Sequence, residues 1–193
     1  MEYPKLTAQV VEGFTKSILA ARYDDPKPIP ELHREIWEYC CSDQLQVAIA
    51  APRSHAKSTT VSFAYVIAAC VFRAHRHIMI ISANEELATQ FTNDIKIEFN
   101  ENDLLIDTFK FKGWTKETET ELIGEFEDGY RFRIIAKGSG QRMRGTKWER
   151  MRPDLVVGDD LEDDEIVLNK DRRDKFKRWF YGAVKPILKN GGK

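Results

Sequence analysis

Two apolar runs constrain the fold of this chain more than any other feature of its sequence. HIMIISAN, at 77–84, and PDLVVGDD, at 153–160, each hold a block of apolar residues that ends in polar ones. Continuous apolar blocks of this length are typical of strands buried on both faces, whereas a half-exposed strand alternates. Segments with helical repeats lie around both runs. The pattern therefore predicts a parallel sheet with helices on both sides.

Further elements are predicted around these two strands. Apolar residues at helical spacing predict helices over 5–22, from Leu32 to about Tyr39, from the residues after 58 to about Arg73, from Glu85 to about Asn100 and over 169–181. The apolar run Leu45–Ala50 predicts another strand. The stretch 121–138 alternates on both sides of Asp128-Gly129, which indicates an antiparallel hairpin. We expect an α/β fold with a mostly parallel central sheet flanked by helices and an antiparallel hairpin insertion.

The bulk properties are those of one globular domain. The chain has 193 residues, of which 42% are hydrophobic and 32% charged. Its longest apolar run, Phe63 to Phe72, is shorter than a membrane span, and its N-terminus lacks the pattern of a signal peptide. The three cysteines have the spacing of neither a disulfide framework nor a metal site. We therefore expect a soluble intracellular protein.

The stretch APRSHAKSTT, at 51–60, lies between the predicted strand 45–50 and an apolar helix. It keeps the final Lys-Ser of the phosphate-binding loop, but Ala51 and Ala56 stand where that motif has glycine. Lys57 would reach the nucleotide phosphates, Ser58 would hold magnesium, and backbone N–H groups would form the cradle. The alternative is a plain strand-to-helix turn with a solvated Lys57, because alanine tolerates positive φ poorly.

A second element follows about a hundred positions later, where the strand at 155–157 ends in DDLEDDE. An enzyme that hydrolyses nucleotides needs one carboxylate there for magnesium and another to orient or deprotonate the attacking water. Asp159 has the magnesium position. Asp160 is the next candidate for the catalytic one, and Glu162, whose side chain is one methylene longer, is the alternative. A solvated acidic turn, a calcium site or a protein-docking surface would also explain the cluster.

Four stretches, in this order, resemble the ATPase domain of the large terminase subunit, the DNA-packaging motor of tailed bacteriophages. They are APRSHAKST, IMIISANEELATQFTNDIKIEFN, GSGQRMRGTKWERMRPDLVVGDDLEDDE and RRDKFKRWFYGAVKPILKNGGK, and they span roughly 45–193. The resemblance implies a P-loop NTPase of the additional-strand catalytic-glutamate type. It also implies two regions: residues 1–44 as a helical segment packing near the adenine site, and residues 45–193 as the ATPase core.

The resemblance implies roles for individual residues around the nucleotide. Arg53 and Lys57 would contact the phosphates of ATP, with Arg53 sensing the γ-phosphate, while Ser58 and Asp159 would hold Mg²⁺. His33 is a candidate for contact with adenine, and helix packing is the preferred interpretation of the nearby Trp37. The remaining loop positions of the predicted nucleotide site are Ser54, His55, Ala56 and Thr59.

Catalytic residues are implied in the same way. Asp160 would be the catalytic carboxylate, although the family has Glu at that position, so Glu162 stays the alternative. Packaging motors are rings, and an arginine supplied in cis or by a neighbouring subunit stabilises the transferring phosphoryl group. Arg144 is the first candidate for that arginine and Arg142 the second, and surface arginines in a loop are the alternative interpretation.

The resemblance implies an ATP-driven motor that moves double-stranded DNA into a procapsid. The implied partners are the portal protein, the small terminase subunit and further copies of the chain in a ring, with the isolated domain monomeric. The expected location is the host cytoplasm during assembly, outside the mature virion and without a membrane. We expect a domain truncated before the coupling strand and the nuclease domain, without nuclease activity. The alternatives are another P-loop motor of the helicase type, or a nucleotide-binding module without turnover of its own.

Charge is segregated along the chain although the net charge is only −1. The segment 131–152 holds eight basic residues and one acidic residue, Glu149. The basic residues are Arg131, Arg133, Lys137, Arg142, Arg144, Lys147, Arg150 and Arg152. Such a segment suits contacts with DNA phosphates that do not read sequence.

Overall fold

A computed structural model describes residues 3–22, 28–52, 54–143, 145–162 and 168–193. The helices are α1 (Ala8–Ser17), α2 (Glu31–Cys41), α3 (Val66–Val71), α4 (Glu85–Glu101), α5 (Asp103–Phe109) and α6 (Lys170–Trp179). The strands are β1 (His77–Ser82), β2 (Phe111–Glu117), β3 (Glu121–Phe126), β4 (Arg131–Gly138) and β5 (Leu155–Gly158). Wide π-type turns over Thr59–Tyr65 lead into α3, similar turns over Phe180–Val184 extend α6, and 3-10 turns occur at Ala20–Arg22 and Lys185–Ile187.

The five strands form one mixed sheet in the order β2-β3-β4-β1-β5. β1 pairs in parallel with β4 and with β5, whereas β3 pairs antiparallel with β2 and β4. The α/β class is therefore confirmed, and the prediction of a mostly parallel sheet is wrong. The reason is the hairpin at Asp128-Gly129, where Gly129 has a φ of +79°. This hairpin forms as predicted, but its second strand, β4, is also the neighbour of β1, so the hairpin extends the central sheet.

The strand predicted over Leu45–Ala50 is the second correction, since these residues join no strand in the described part of the chain. Leu45 is 52% exposed, so the run is not buried at its start. The outer edge of β5 is contacted by Lys193. Val156 N–H donates to Lys193 O at 2.8 Å, and Lys193 N–H donates to Asp154 O at 3.0 Å. An apolar run is therefore not sufficient for a strand, which also requires backbone hydrogen bonds to a neighbouring strand.

Strand β1, which lies between β4 and β5, is buried at all six positions, as its continuous apolar pattern predicts. Its side chains alternate between two cores. Ile78 and Ile80 belong to the larger cluster, which also contains residues of α1 to α5, while Met79 and Ile81 belong to a smaller cluster with residues from the end of the chain such as Val184. The sheet is thus covered on both faces, which leaves strand ends and loops as the places for a functional site.

The predicted helices are confirmed at their main positions. Asn84 caps α4, because its side-chain oxygen accepts a hydrogen bond from Leu87 N–H at 2.8 Å. The helix predicted after residue 58 forms, but it begins with the π-type turns over Thr59–Tyr65 before it becomes regular in α3. No helix among the described residues is long and apolar enough to cross a membrane.

Candidate functional site

The carboxyl end of β5 meets the first turns of the helical segment that follows the predicted phosphate loop. Ser62 Oγ donates a hydrogen bond to Asp159 Oδ2 at 2.7 Å. Asp159 is positioned by its backbone, since its N–H donates to Ile81 O at 2.9 Å and continues the pairing of β5 with β1. Ser62 is only 1% exposed, whereas Asp159 is half-buried. The fold therefore brings the acidic strand end against the helical segment that follows the predicted phosphate loop.

Lys57 folds back onto its own loop. Its Nζ donates to Ala51 O at 2.8 Å and to Pro52 O at 3.1 Å. Both acceptors belong to the segment that would surround a phosphate, so the ammonium group lies within the curve of the loop. A phosphate oxygen is a stronger acceptor for a lysine than a neutral carbonyl, because it is charged. The loop therefore keeps the Lys57 ammonium group against its own carbonyl oxygens.

The loop backbone is left-handed at Ala56, one of the two positions where the usual motif has glycine, but not at Ala51, the other. Ala56 has a φ of +49° and Ser54 a φ of +65°. An L-residue with a side chain pays about 1–2 kcal/mol for this left-handed region. Strain of this kind persists where the surrounding contacts enforce it, and it is frequent at functional sites. Two hydrogen bonds hold the carbonyl group of Ala56: Ala56 O accepts from Thr60 N–H at 2.9 Å and from Thr60 Oγ1 at 2.8 Å.

Helix α2 supports the loop through two side chains. Trp37 Nε1 donates to Thr60 O at 3.0 Å, and His33 Nε2 donates to His55 O at 2.9 Å. The two rings meet edge to face, with centroids 6.2 Å apart. Trp37 is 1% exposed, so it packs in the core, as preferred from the sequence, and its ring is not available to a nucleotide. His33 is half-buried beside the loop, and its contact with adenine stays a prediction.

The chain turns sharply after Asp159. Asp160 has a φ of +46°, a conformation that Asp adopts more readily than most residues. Gly158 makes room for this turn, because a Cβ at Gly158 would lie 2.8 Å from Leu161 Cδ1. Asp160 and Glu162 are both exposed at the site. Both therefore stay candidates for the catalytic carboxylate.

Of the three arginine candidates, the structure describes only Arg142. Arg53 and Arg144 lie outside the described residues, as does the end of the acidic cluster at 163–165. Arg142 is exposed. The loop that carries it is anchored at Gln141, whose Nε2 donates to Glu85 Oε2 at 2.8 Å and whose backbone oxygen accepts from Trp179 Nε1 at 2.9 Å. Arg142 thus extends from a fixed point next to the start of α4.

The described part of the site contains few side chains that could bind a metal. Among the described residues, no three His, Cys, Asp or Glu side chains are arranged to hold a metal ion. Magnesium is commonly held by one or two carboxylates together with waters and substrate phosphates. Asp159, with the Ser62 hydroxyl group 2.7 Å from its carboxylate, fits that requirement.

Sequence reasoning missed Ser62. The hydroxyl predicted to face Asp159 was Ser58, which lies one helical turn earlier. Residues four apart share a helix face, so Ser58 and Ser62 could have been proposed as a pair from their spacing. A second missed hydroxyl is Ser82, at the carboxyl end of β1. Its Oγ is buried and has no hydrogen-bond partner within the described structure.

The cysteines are not candidates for nucleophiles. Cys40, Cys41 and Cys70 are all free thiols. Burial raises the pKa of Cys40 to about 12 and that of Cys41 to about 11, and it raises the pKa of Cys70 well above its ordinary value. Because the thiolate is the reactive form, these groups are inert near neutral pH.

The chain matches no protein-family model, and a comparison with curated proteins gives no match.

Proposed function

We propose that this chain is a magnesium-dependent ATPase, and that it is the motor domain of a large terminase subunit, which moves double-stranded DNA into a viral shell. The observation that carries the ATPase proposal is the hydrogen bond between Ser62 Oγ and Asp159 Oδ2. A phosphate loop and an acidic strand end act together only if they adjoin, and this bond joins the helical segment that directly follows the loop to that strand end. The parallel pairing of β5 with β1 supports a P-loop NTPase fold, because ligands bind at the carboxyl ends of parallel strands.

Binding of ATP would exchange contacts within the loop. Lys57 would release the carbonyl oxygens of Ala51 and Pro52 and donate to the β- and γ-phosphates instead. Residues 54–59 would offer their backbone N–H groups, and His33 would lie beside the base. Asp159 and Ser58 would hold Mg²⁺, which neutralises charge on the phosphates when bound.

Hydrolysis needs a group that orients or deprotonates water. Asp160 follows directly after the magnesium carboxylate, and Glu162 lies two positions further on; both are exposed to a water that approaches the γ-phosphate. Arg142 or Arg144 would stabilise the charge that develops on the phosphoryl group, within one subunit or across a ring.

The terminase part of the proposal is supported by the order of the four stretches that resemble that family. In that setting the partners are double-stranded DNA, the portal protein, the small terminase subunit and further copies of the chain. A helicase-type motor shares the same site, so DNA unwinding by this chain would favour that alternative.

Calorimetry with ATP tests the binding step directly. We expect saturable binding that strengthens with Mg²⁺ and that weakens in Lys57→Ala by roughly 10- to 100-fold, the worth of a charged hydrogen bond. Lys170→Ala, at the start of the exposed helix α6, is the matched control and should bind as the wild type does. The proposal fails if the wild type binds no ATP, or if both variants bind equally well.

Turnover decides between the two carboxylates. We expect one of Asp160→Asn and Glu162→Gln to keep ATP binding and lose phosphate release, while the other retains both. If the wild type binds ATP but releases no phosphate, the chain is a nucleotide-binding module. Steady turnover that persists in Lys57→Ala would refute the site assignment.

A further inference from the structure

A second recess lies at the amino end of β5, away from the candidate ATP site. It has a volume of about 540 Å³ and is lined by Lys147, Arg150, Met151, Arg152, Leu188 and Lys189. Four of these side chains are cationic, and none of the described lining residues is acidic. Arg152 precedes β5 and Asp159 follows it, so this basic pocket and the ATP site lie at opposite ends of the same strand.

A strained turn presents one of the cations. Trp148 and Met151 exchange backbone hydrogen bonds of 3.0 and 2.8 Å. The two residues between them, Glu149 and Arg150, have φ values of +46° and +66°. Positive φ at both central positions defines a type I′ turn, which normally contains Asn and Gly. For other residues this conformation costs about 1–3 kcal/mol at each position. Something must hold Glu149 and Arg150 in this conformation.

The Glu149 side chain supplies that hold. Its Oε2 accepts from Arg76 Nη2 and its Oε1 accepts from Arg131 Nη1, both at 2.6 Å. Trp148 lies under both guanidinium groups, at 5.3 and 5.6 Å from its ring. The carboxylate of Glu149 is thus paired with two arginines, whereas the Arg150 side chain is exposed.

The structure separates the basic segment 131–152 into paired and available cations. Arg131 pairs with Glu149, and Arg133 Nε pairs with Glu121 Oε1 at 2.8 Å. In the described parts of the chain, neither Lys147 nor Arg150 has an ion pair or a side-chain hydrogen bond. Like charges that share a recess repel one another unless an anion joins them.

The other two cations have partial contacts. Arg152 Nη1 donates to Pro186 O at 2.8 Å, which orients the guanidinium without neutralising it. Lys189 Nζ lies 3.4 Å from Asp154 Oδ2. Asp154 also accepts hydrogen bonds from the N–H groups of Arg76 and His77, at 3.0 Å each, so its charge is shared. The pocket keeps an excess of positive charge.

We propose that the basic pocket binds backbone phosphates of double-stranded DNA. Duplex DNA presents one negative charge per roughly 1.7 Å of its axis, so a cluster of cations at the mouth of one recess can contact several phosphates together. Four of the lining side chains are cationic and only one, Asn190, is a neutral polar amide, which suits contact with phosphates more than base reading. The choice of DNA as the partner rests on the proposed motor function, for which the pocket would be a surface that grips DNA.

The test uses a fluorescently labelled 30-base-pair duplex and measures its anisotropy over a series of salt concentrations. The variant Lys147→Gln/Arg150→Gln removes two exposed cations that have no ion pair or side-chain hydrogen bond among the described residues, so we expect it to fold. We expect its DNA affinity to fall about tenfold or more at low salt, and its salt slope to fall by about 1.8, the value for two lost phosphate contacts.

The matched control is Lys5→Gln/Lys110→Gln, which removes the same charge elsewhere. Both lysines are exposed, and Lys110 has a φ of +55°, so it repeats the backbone conformation of Arg150. We expect the control to bind DNA as the wild type does. Equal DNA affinity in the wild type and the pocket variant would overturn the proposal, and so would equal losses in the pocket variant and the control.

Two further measurements distinguish DNA binding by this pocket from binding of a free anion and from the ATPase proposal. In the first, inorganic phosphate is titrated into the wild type and the pocket variant. If the wild type binds phosphate saturably, the variant loses that binding, and the DNA affinity of the variant is unchanged, then the pocket binds a free anion and the proposal is overturned. ATP calorimetry on the pocket variant should match the wild type. If the protein binds DNA through this pocket but binds no ATP, the ATPase proposal fails and this inference stands. If the protein binds ATP but does not bind DNA through this pocket, only this inference fails.

Discussion

Ser62 Oγ and Asp159 Oδ2 are 2.7 Å apart although 97 positions separate them in the sequence. The bond links the helix that follows the phosphate loop to the carboxyl end of β5. Because Asp159 is half-buried, the serine hydroxyl both replaces water at the carboxylate and fixes its rotamer. The candidate site is therefore preformed before any nucleotide binds.

Removing the hydroxyl should weaken both the fold and the site. We expect Ser62→Ala to lower the free energy of unfolding by about 1–2 kcal/mol, because a hydrogen bond to a charged group is lost in a buried position. Urea denaturation measures this change, and calorimetry should show weaker binding of magnesium and ATP.

A double-mutant cycle isolates the contact. Ser62→Ala, Asp159→Ala and the double variant should show a coupling of about 0.5–3 kcal/mol in unfolding free energy, the range for residues in direct contact. Strictly additive effects would mean that the bond contributes nothing to stability.

Ala56→Gly should stabilise the protein. Ala56 has a φ of +49°, and glycine removes the cost of that conformation, about 1–2 kcal/mol, while it adds about 0.4–1 kcal/mol of unfolded-state entropy. We expect a net gain of about 0.5–1 kcal/mol and ATP affinity at least equal to that of the wild type. Ala50→Gly, at a position without positive φ, should lose stability instead. A loss in both variants would contradict the strained loop.

Trp37→Phe should loosen the support of the phosphate loop. The change leaves Thr60 O without its donor and opens space in the core, so we expect a loss of about 2–4 kcal/mol in unfolding free energy. ATP affinity, measured well below the unfolding temperature, should fall as well. Trp114→Phe is the control, because Trp114 Nε1 donates to Asn100 Oδ1 at an exposed position, and that variant should keep the wild-type ATP affinity.

Stability should fall as the pH drops from neutral towards 4. The pKa of His77 falls from 6.5 to about 4, first because burial disfavours the imidazolium and second because Arg133 lies beside it. The unfolded chain therefore binds a proton between these pH values that the native protein does not bind. This contribution is fully present above pH 6.5 and is lost as the pH falls through that window, with a slope of at most about 1.4 kcal/mol per pH unit.

His77→Gln removes this titration. The unfolding free energy, measured in urea at intervals from neutral pH to pH 4, should vary less with pH in the variant than in the wild type. Burial also lowers the pKa of His75, so the dependence should be reduced rather than abolished. An unchanged slope would show that His77 does not titrate in this way.

Local patterns predicted much of the fold. The apolar block of β1 indicated burial on both faces, and all six of its residues are buried. The hairpin at Asp128-Gly129 was also recognisable, because glycine adopts the turn conformation without strain. The prediction of a strand over Leu45–Ala50 failed because its pattern describes side chains, whereas a strand also needs backbone hydrogen bonds to a neighbouring strand, and these depend on the assembled sheet.

The candidate site was also predictable from the sequence only in part. Sequence by itself determined that a Lys-Ser loop precedes an apolar helix and that a buried strand ends in acids, because these features depend on neighbouring residues alone. Only the tertiary structure decided that Ser62 reaches Asp159, that Ala56 takes the left-handed conformation, and that Glu149 pairs Arg131 while Arg150 stays available. Contacts between distant residues and enforced backbone angles arise from packing, which a local pattern does not contain.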